Sequence, residues 1–251
     1  MNEQIVSIIM LSYNGVTYIK EAIDSIKAQT YSNWELIISD DGSNDGTYEL
    51  SLALAKDEPR IKVVQTPERL GIPKNRKFAF GHTTGNKICH VDGDDALFPH
   101  SIEYMLKGMK DFDLAFSDLA WMDKNSNIFQ YHANVDTELK NLGWRHLSMY
   151  TRKAYENTNG YNDKLISACE DGDLFMQIAE KYKYVRVQHA LYKYRMHDNN
   201  AHTNNKKCET CEERPVCNYV RVWGKENNWN IINWTPKVNL PSLAELLKPP
   251  Q

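Results

Sequence analysis

The sequence contains no apolar run that could cross a membrane. A membrane helix needs at least about 18 consecutive apolar residues, and the 251 residues include no such run. The first residues, MNEQ, lead directly into a strand pattern without the charged segment and long apolar stretch of a secretory signal. We therefore expect no stable membrane span and a cytoplasmic location.

The sequence also lacks an excess of charge of either sign. Its 30 basic and 33 acidic residues give a formal net charge of −3, which excludes a global attraction to nucleic acid or anionic membranes. Only five cysteines are present, and an odd number argues against a closed disulfide framework. The 41% hydrophobic content supports a sizeable core, and the length favours one large domain with an appendage.

Short apolar segments alternate with helical patterns in the first part of the chain. Ile5–Leu11 and Trp34–Ser39 predict buried parallel strands on either side of a helical pattern that starts at Thr17. A helix over Thr47–Ala55 and a third strand over Ile61–Gln65 follow. This order predicts an α/β fold with a mixed, mostly parallel sheet flanked by helices.

The later part of the chain is less regular. Asp113–Ser117 predicts a strand, and the polar segment Trp121–Glu138 predicts an irregular meander. Tyr184–Gln188 and Leu191–Tyr194 predict two short strands.

Three carboxylates follow one predicted strand within four residues. The strand ends at Val91 and leads into Asp92, Asp94 and Asp95. Like charges this close repel each other unless a positive group lies between them. Gly93 allows the backbone to turn and brings an outside group close. Oxygen ligands at the carboxyl end of a strand favour a site for a hard divalent cation and its phosphate ligand.

Two other charged clusters have both an ordinary and a functional interpretation. Lys74, Arg76 and Lys77 lie near the start of a predicted helix, where they are either solvated or provide countercharge to a phosphate. Glu170 and Asp171 begin another predicted helix. Acidic residues are common at helix starts because the helix dipole favours them, so without further context the ordinary interpretation is preferred there.

The order of these segments resembles the family 2 glycosyltransferases, which have the GT-A fold. The residues that carry the resemblance are VSIIMLSYNGVTYIKEAIDSIKAQTYSNWELIISDDGSNDGT, LGIPKNR, the DXD-type motif HVDGDD, and CEDGDL. The similarity spans roughly Ile5–Asn200, about four-fifths of the chain. It implies a Rossmann-like GT-A domain over residues 1–203. The composition shifts after this domain and departs from the family, so residues 204–251 are expected to form a small irregular extension.

The resemblance implies a nucleotide site at the ends of the first strands. Tyr13 resembles the position that stacks on the nucleotide base, and Asp41 resembles the position that binds the base. Asp40 is its neighbour in the same pocket. Arg76 resembles the basic position that follows the LG pair and lies close to the nucleotide.

The resemblance also implies a metal site and a base. Asp92 and Asp94 resemble the carboxylates that hold the ribose and a divalent metal, Mn²⁺ or Mg²⁺, on the diphosphate. His197 lies in RMHDNN, similar to an RxH segment that closes over the diphosphate and adds a metal ligand; an exposed loop histidine is the alternative. Asp171 resembles the general base of inverting members, and Glu170 is its substrate-binding neighbour.

The function implied is a metal-dependent inverting glycosyltransferase of the hexosyltransferase class. Its donor would be a nucleoside diphosphate sugar, with a UDP-sugar as the commonest expectation, and its acceptor a hydroxyl of a glycan, a protein or another molecule. A non-catalytic module that binds a nucleotide sugar or carbohydrate on the same fold is the alternative, but it would not need Asp171. A two-metal phosphohydrolase would need a histidine-rich second ligand set, and the first hundred residues contain only three histidines.

The extension contains a cluster of cysteines. Cys208, Cys211 and Cys217 have the spacing C-x2-C-x5-C, and His202 lies six residues before the first of them. Three thiolates and an imidazole would satisfy tetrahedral Zn²⁺, so structural zinc is one hypothesis. Free thiols, or a disulfide between two of the three, are the others.

Overall fold

The computed structural model describes residues 4–132, 146–163, 170–198 and 200. The elements are β1 (Val6–Ser12), α1 (Ile19–Lys27), β2 (Trp34–Asp40), α2 (Thr47–Ala55), β3 (Ile61–Gln65), α3 (Ile72–Phe80), β4 (Lys87–His90), β5 (Ala96–Leu97), α4 (Ser101–Gly108), β6 (Leu114–Met122), β7 (Ile128–His132), β8 (Ser148–Thr151), α5 (Arg152–Glu156), α6 (Glu170–Ala179) and β9 (Tyr184–Arg195).

Within the described residues, the strands form one mixed sheet in the order β3-β2-β1-β4-β8-β6-β9-β5, and β7 pairs with β6 outside this order. Strands β1, β2, β3 and β4 are parallel to one another where they pair. Strand β8 joins this parallel half to β6 through antiparallel pairing on both of its edges. The predicted α/β fold with helices around a Rossmann-like sheet is confirmed.

The core explains why the first strand is mostly apolar. In β1, Ile8 and Met10 pack with Ile23 of α1, whereas Ile9 belongs to a second cluster on the other face that includes Phe175 of α6. All five side chains are fully or almost fully buried. A parallel strand covered on both faces is expected to be a continuous apolar run, and each such side chain stabilises the fold by roughly 1.5–3 kcal/mol.

The prediction of an irregular meander over Trp121–Glu138 is wrong for its described part. Strand β6 continues to Met122, and β7 returns antiparallel beside it. The turn between them is built by Asp123, whose carboxylate accepts the backbone N–H groups of Asn125 and Asn127 at 2.8 and 2.9 Å. Polar residues that close a turn have the same composition as an irregular loop, so the sequence alone does not distinguish the two.

The two short strands predicted near the end of the domain are one strand. Strand β9 runs without interruption from Tyr184 to Arg195. Its pairing with β6 shifts register beside Asp118, which explains why the apolar pattern of the sequence is broken there. The break in pattern therefore marks an irregularity within a strand rather than a strand end.

Two short elements and the C-terminal extension complete the comparison with the sequence. The sequence does not predict strand β8 and helix α5, because four and five residues give too little periodicity to detect. Within the described ranges, no helix combines the length and apolar character needed to cross a membrane. The extension over residues 204–251, with His202, Cys208, Cys211 and Cys217, lies outside the described residues.

Candidate functional site

The site is centred on the loop between β4 and β5, which contains the three aspartates. This loop is fixed to the carboxyl end of β1, because Gly93 N–H donates to the carbonyl of Leu11 at 3.2 Å. A Cβ atom on Gly93 would lie 2.9 Å from that carbonyl oxygen and 3.0 Å from Ile19 Cδ1. Glycine therefore permits the close approach that the sequence predicted, and the group that comes close is the backbone of β1.

The three carboxylates of this loop have different environments. Asp95 is buried, and its oxygens accept from Tyr192 Oη and from Arg195 N–H, both at 2.7 Å. Burial, together with the charges of Asp94 and Asp92, raises the pKa of Asp95 well above its usual value. Only Asp92 and Asp94 are partly exposed. The sequence cluster of three is thus an outward pair and one inward structural carboxyl.

Arg76 supplies the positive charge expected near these carboxylates. Its Nη2 donates to Asp92 Oδ1 at 3.2 Å, and its Nε donates to Glu170 Oε1 at 3.0 Å. Its side chain is only 7% exposed. Among the described residues, its buried Nη1 has no hydrogen-bond partner. Arg76 therefore connects the aspartate loop between β4 and β5 to the start of α6.

Asp171 lies beside this ion pair, at the start of α6. Its Oδ1 accepts from Gly172 N–H at 2.7 Å. Burial raises the pKa of Asp171, and the nearby charge of Arg76 opposes this rise. Burial and the charge of Asp171 likewise raise the pKa of Glu170. Because Arg76 bonds directly to Glu170, the two neighbouring carboxyls are chemically distinct: Glu170 is held in place, and Asp171 interacts with the arginine only through charge.

Asp94 and His197 come together on the exposed side of the loop. Asp94 Oδ2 and His197 Nε2 are 3.0 Å apart. The ring of Tyr18 packs against the imidazole, with centroids separated by 4.9 Å. The backbone N–H of His197 donates to Asn200 Oδ1 at 2.6 Å, and Asn200 Nδ2 donates to the carbonyl of Arg195 at 2.9 Å. Tyr18 and Asn200 therefore limit the positions that His197 can adopt.

This pair fits the donor chemistry of a hard divalent cation. Two ligand atoms on adjacent corners of an octahedron with bonds of 2.0–2.1 Å lie about 3 Å apart, which is the separation found between Asp94 and His197. Within the described part of the chain, no group of three or more His, Cys, Asp or Glu side chains forms a metal cage. A cation here would thus need further oxygens from a ligand.

Tyr13 lies at the end of β1 and is 41% exposed. The guanidinium carbon of Arg69 lies 3.9 Å from the centroid of its ring. Asp41 lies nearby in the loop after β2, where its Oδ1 accepts from Leu70 N–H at 2.8 Å and its Oδ2 from Gly71 N–H at 2.9 Å. This carboxylate fixes the entry to α3, the helix that carries the buried arginine of the site.

Asp40 is completely buried and organises its own loop. Its Oδ1 accepts from Ser43 N–H at 2.8 Å, and its Oδ2 accepts from Ser12 Oγ at 3.1 Å. It therefore holds the ends of β1 and β2 together. Asp45 forms a turn before α2, with its Oδ1 accepting from Thr47 N–H at 3.0 Å.

The structure thus brings most of the sequence candidates to one edge of the sheet. Asp92, Arg76 and Glu170 are in direct contact, and Asp171 adjoins them. The candidates for base recognition follow β1 and β2 at the same edge. The assignments of individual roles to these residues stay predictions.

Sequence analysis missed two residues that organise this edge. Tyr192 Oη accepts from Asp92 N–H at 3.1 Å while donating to Asp95. Arg195 is 0% exposed although it carries a full charge. The only available signal for Arg195 was its place two residues before His197, and no pattern distinguished Tyr192 from the other tyrosines of β9.

Comparison with known proteins agrees with this geometry. The profile of the family described as Glycosyl transferase family 2 matches residues 7–172, about two thirds of the chain. Chondroitin synthase of Pasteurella multocida (strain Pm70) is 29% identical over 243 residues, which cover 90% of this chain and 24% of that protein. The chain therefore spans only about a quarter of the length of that relative.

Solved structures share the fold. S. aureus TarS 1-349 in complex with UDP-GlcNAc has a TM-score of 0.68 and 18% identity, over 80% of this chain and 60% of that one. Mannosyltransferase PcManGT from Pyrobaculum calidifontis, in complex with GDP-Man and Mn²⁺, has a TM-score of 0.63 and 19% identity, over 78% and 58%. With the sheet, the site and the family profile in agreement, the chain belongs to the family 2 glycosyltransferases, enzymes with the GT-A fold.

Proposed function

We propose that this glycosyltransferase is metal-dependent and inverting, and that it transfers a sugar from a nucleoside diphosphate sugar to an acceptor hydroxyl. One observation carries the proposal. The pair formed by Asp94 and His197 lies beside Asp92, which Arg76 connects to the start of α6, where Asp171 stands. A cation ligand pair and a separate carboxylate are the two groups that this reaction needs.

Asp94 and His197 would hold Mn²⁺ or Mg²⁺ through one oxygen and one nitrogen. The bound cation would neutralise the charge that develops on the leaving diphosphate. The need for further oxygen ligands is met in this proposal by the diphosphate itself. The presence of Mn²⁺ together with GDP-Man in the complex of PcManGT supports this choice of metal and ligand.

The nucleoside would lie across the ends of β1 and β2. The exposed ring of Tyr13 offers a stacking surface for the base, and Asp41 offers a carboxylate acceptor for a base N–H group. Asp40 shapes the same pocket from beneath, and Asp92 would hold the ribose. A uridine nucleotide is the donor we favour, because the similarly folded TarS is found in complex with UDP-GlcNAc.

Asp171 would act as the general base. The acceptor oxygen forms a bond to C1 of the sugar while the bond between C1 and the diphosphate oxygen breaks, and the diphosphate leaves with the electron pair. The hydroxyl proton passes to the carboxylate of Asp171. A raised pKa makes a carboxylate a stronger base near neutral pH. Attack opposite the leaving group in one step inverts the configuration at C1.

Arg76 and Glu170 would support these groups from below. The buried guanidinium orients Asp92 on one side and Glu170 on the other. This arrangement would fix the start of α6, and therefore the position of Asp171, relative to the aspartate loop between β4 and β5. Precise placement of a base contributes to catalysis as much as its basicity does.

A donor screen tests the proposal. The full chain is incubated with UDP-, GDP- and CDP-sugars and a mixture of glycan acceptors, with Mn²⁺ or Mg²⁺, before and after chelation, and released nucleotide is measured. We expect release with one nucleotide class, loss of release on chelation and its return with added Mn²⁺. Binding of a nucleotide sugar without release for any acceptor would favour a binding module, and full activity after chelation would exclude metal dependence.

A further inference from the structure

Arg195 is fully buried, yet it contacts three separate parts of the chain. Its Nε donates to the backbone carbonyl of Asp94 at 2.7 Å, and its Nη2 donates to Glu21 Oε2 of α1 at 2.5 Å. Its Nη1 donates to Ser126 Oγ at 3.0 Å in the turn between β6 and β7. The ring of Tyr18 covers its guanidinium carbon at 4.6 Å from the centroid. All three nitrogens of the guanidinium are thus used.

We propose that Arg195 is a positioning residue that sets the geometry of the Asp94–His197 pair. It acts on this pair through both its side chain and its backbone. Its side chain holds the carbonyl of Asp94, and its own backbone carbonyl is held by Asn200, which also fixes His197 N–H. One residue therefore fixes the backbone of one ligand and the turn that carries the other.

The partners of Arg195 also bond to one another. Ser126 Oγ donates to the same Glu21 oxygen at 2.7 Å, so that this carboxylate receives two donors. Ser126 has a positive φ of 69°, a backbone conformation that is uncommon for residues other than glycine. The hydrogen bonds to Glu21 and Arg195 stabilise that conformation, and the turn in return closes over the guanidinium.

The physical reason for a buried arginine here is charge as well as geometry. Burying a cation is costly unless it is paired and hydrogen-bonded. Here its charge is balanced by Glu21, and the loop that it contacts also carries Asp94 and the buried Asp95. The positive charge of Arg195 next to the loop lowers the repulsion between the carboxyls of Asp94 and Asp95. Both side chains can therefore keep fixed positions. Residues that orient metal ligands in this way typically change metal affinity about 10–100-fold when mutated.

This inference rests on the proposed function, because it assumes that Asp94 and His197 bind a cation. The test measures Mn²⁺ affinity directly, by electron paramagnetic resonance of free Mn²⁺ in titrations of the full chain with UDP present. The main variant is Arg195→Lys, which keeps the charge and loses the planar set of donors. We expect the Kd for Mn²⁺ to rise about 10–100-fold, while kcat at saturating Mn²⁺ stays within a few-fold of the original.

Arg186→Lys is a matched control. Arg186 belongs to the same strand, β9, and also makes a buried pair, donating to both oxygens of Asp118 at 2.8 Å. Among the described residues, its hydrogen bonds and ion pair go to Asp118 and not to the aspartate loop. We expect its variant to lose stability without a change in Mn²⁺ affinity. Equal Mn²⁺ affinities for the Arg195→Lys and Arg186→Lys variants would overturn the inference.

A milder variant keeps the test decisive if Arg195→Lys does not fold. Glu21 is 40% exposed in its side chain, so Glu21→Gln is expected to fold and to raise the Kd for Mn²⁺ several-fold; an unchanged Kd would contradict the inference. Asp94→Ala separates the two proposals. Unchanged Mn²⁺ affinity in Asp94→Ala would refute the metal site itself, whereas loss of affinity there, without loss in the Arg195 and Glu21 variants, refutes only the positioning role.

Discussion

Arg76 Nε lies 3.0 Å from Glu170 Oε1, and both side chains are buried. This contact distinguishes two adjacent carboxyls that the sequence presents as equivalent. In the proposed reaction, Glu170 would anchor α6 through Arg76, and Asp171 would keep its carboxylate available for an incoming hydroxyl. Under this proposal, Glu170 has a structural role and Asp171 has a chemical one.

Asp171→Asn is expected to lower turnover about 100-fold or more, the effect of removing a general base, and to leave donor binding largely intact. Asparagine keeps the shape and loses the basicity. The measurements are kcat and the Kd of the nucleotide. Asp173→Asn, in the same first turn and bonded to Gln177, is the control and should remain active. Normal turnover in the Asp171 variant, or complete loss of donor binding, would show that its role is assigned wrongly.

The pH dependence of kcat should show the raised pKa of Asp171. Burial disfavours its charged form, so the base is protonated at pH values at which an ordinary aspartate, with a pKa near 3.9, is ionised. Activity is expected to rise with pH through the raised value. A limb at the ordinary carboxyl value would contradict the burial of Asp171.

The same two carboxyls should make stability depend on pH in the opposite direction. Their pKa values are raised in the folded chain, so the folded state binds more protons than the unfolded state. Their contribution to stability is then fully present below the ordinary pKa of about 4 and is lost as pH rises through the folded values. Denaturant unfolding at several pH values, compared between the original chain and Glu170→Gln, measures this slope.

Asp94→Ala should abolish activity and weaken diphosphate binding, because a cation held by few protein ligands cannot lose a carboxylate without a large loss of affinity. Asp92→Ala should be nearly as severe. Asp24→Ala, which removes an exposed partner of Lys20 on α1, provides the control. Turnover and metal-dependent binding of UDP are measured for all three. Values close to the original for both site variants would remove the support for the metal assignment.

Gly93→Ala should destabilise the fold by about 1–3 kcal/mol, the usual effect of overpacking. The new Cβ would lie 2.9 Å from a backbone carbonyl of β1, which cannot move without breaking strand pairing. Gly15→Ala is the matched control, because a Cβ there meets nothing within 4 Å. Urea unfolding of both variants measures the difference, and equal midpoints would contradict the close approach.

The cysteine cluster gives a separate prediction. If Cys208, Cys211, Cys217 and His202 hold structural zinc, protein purified without chelator should contain close to one zinc per chain. Elemental analysis and thiol titration measure this. Less than about a tenth of a zinc per chain, with three titratable thiols in this segment, would exclude the site.

The fold and the site were predictable to different degrees. Continuous apolar strands such as β1 and the polar loops that end them have local signals, so the α/β order and the edge that carries the site could be predicted. The contact between Asp94 and His197 has no local signal, because 103 positions separate the two residues, and only the family resemblance indicated it. The buried state of Arg76 and Arg195 also has no local signal. Charged residues give a surface pattern in sequence, and only the tertiary arrangement of their partners makes burial possible.

Strand β9 is synthesised long after the aspartate loop that it contacts. The carbonyl of Asp94 and the guanidinium that holds it are 101 positions apart, so during vectorial synthesis on a ribosome the donor loop emerges well before the residues that fix it. Until then its carboxylates have neither Tyr192 nor Arg195 as partners. Pairings this distant in sequence also form slowly. A nascent chain could therefore acquire its parallel sheet early, while competence to bind donor would await translation of β9 and the turn that follows it.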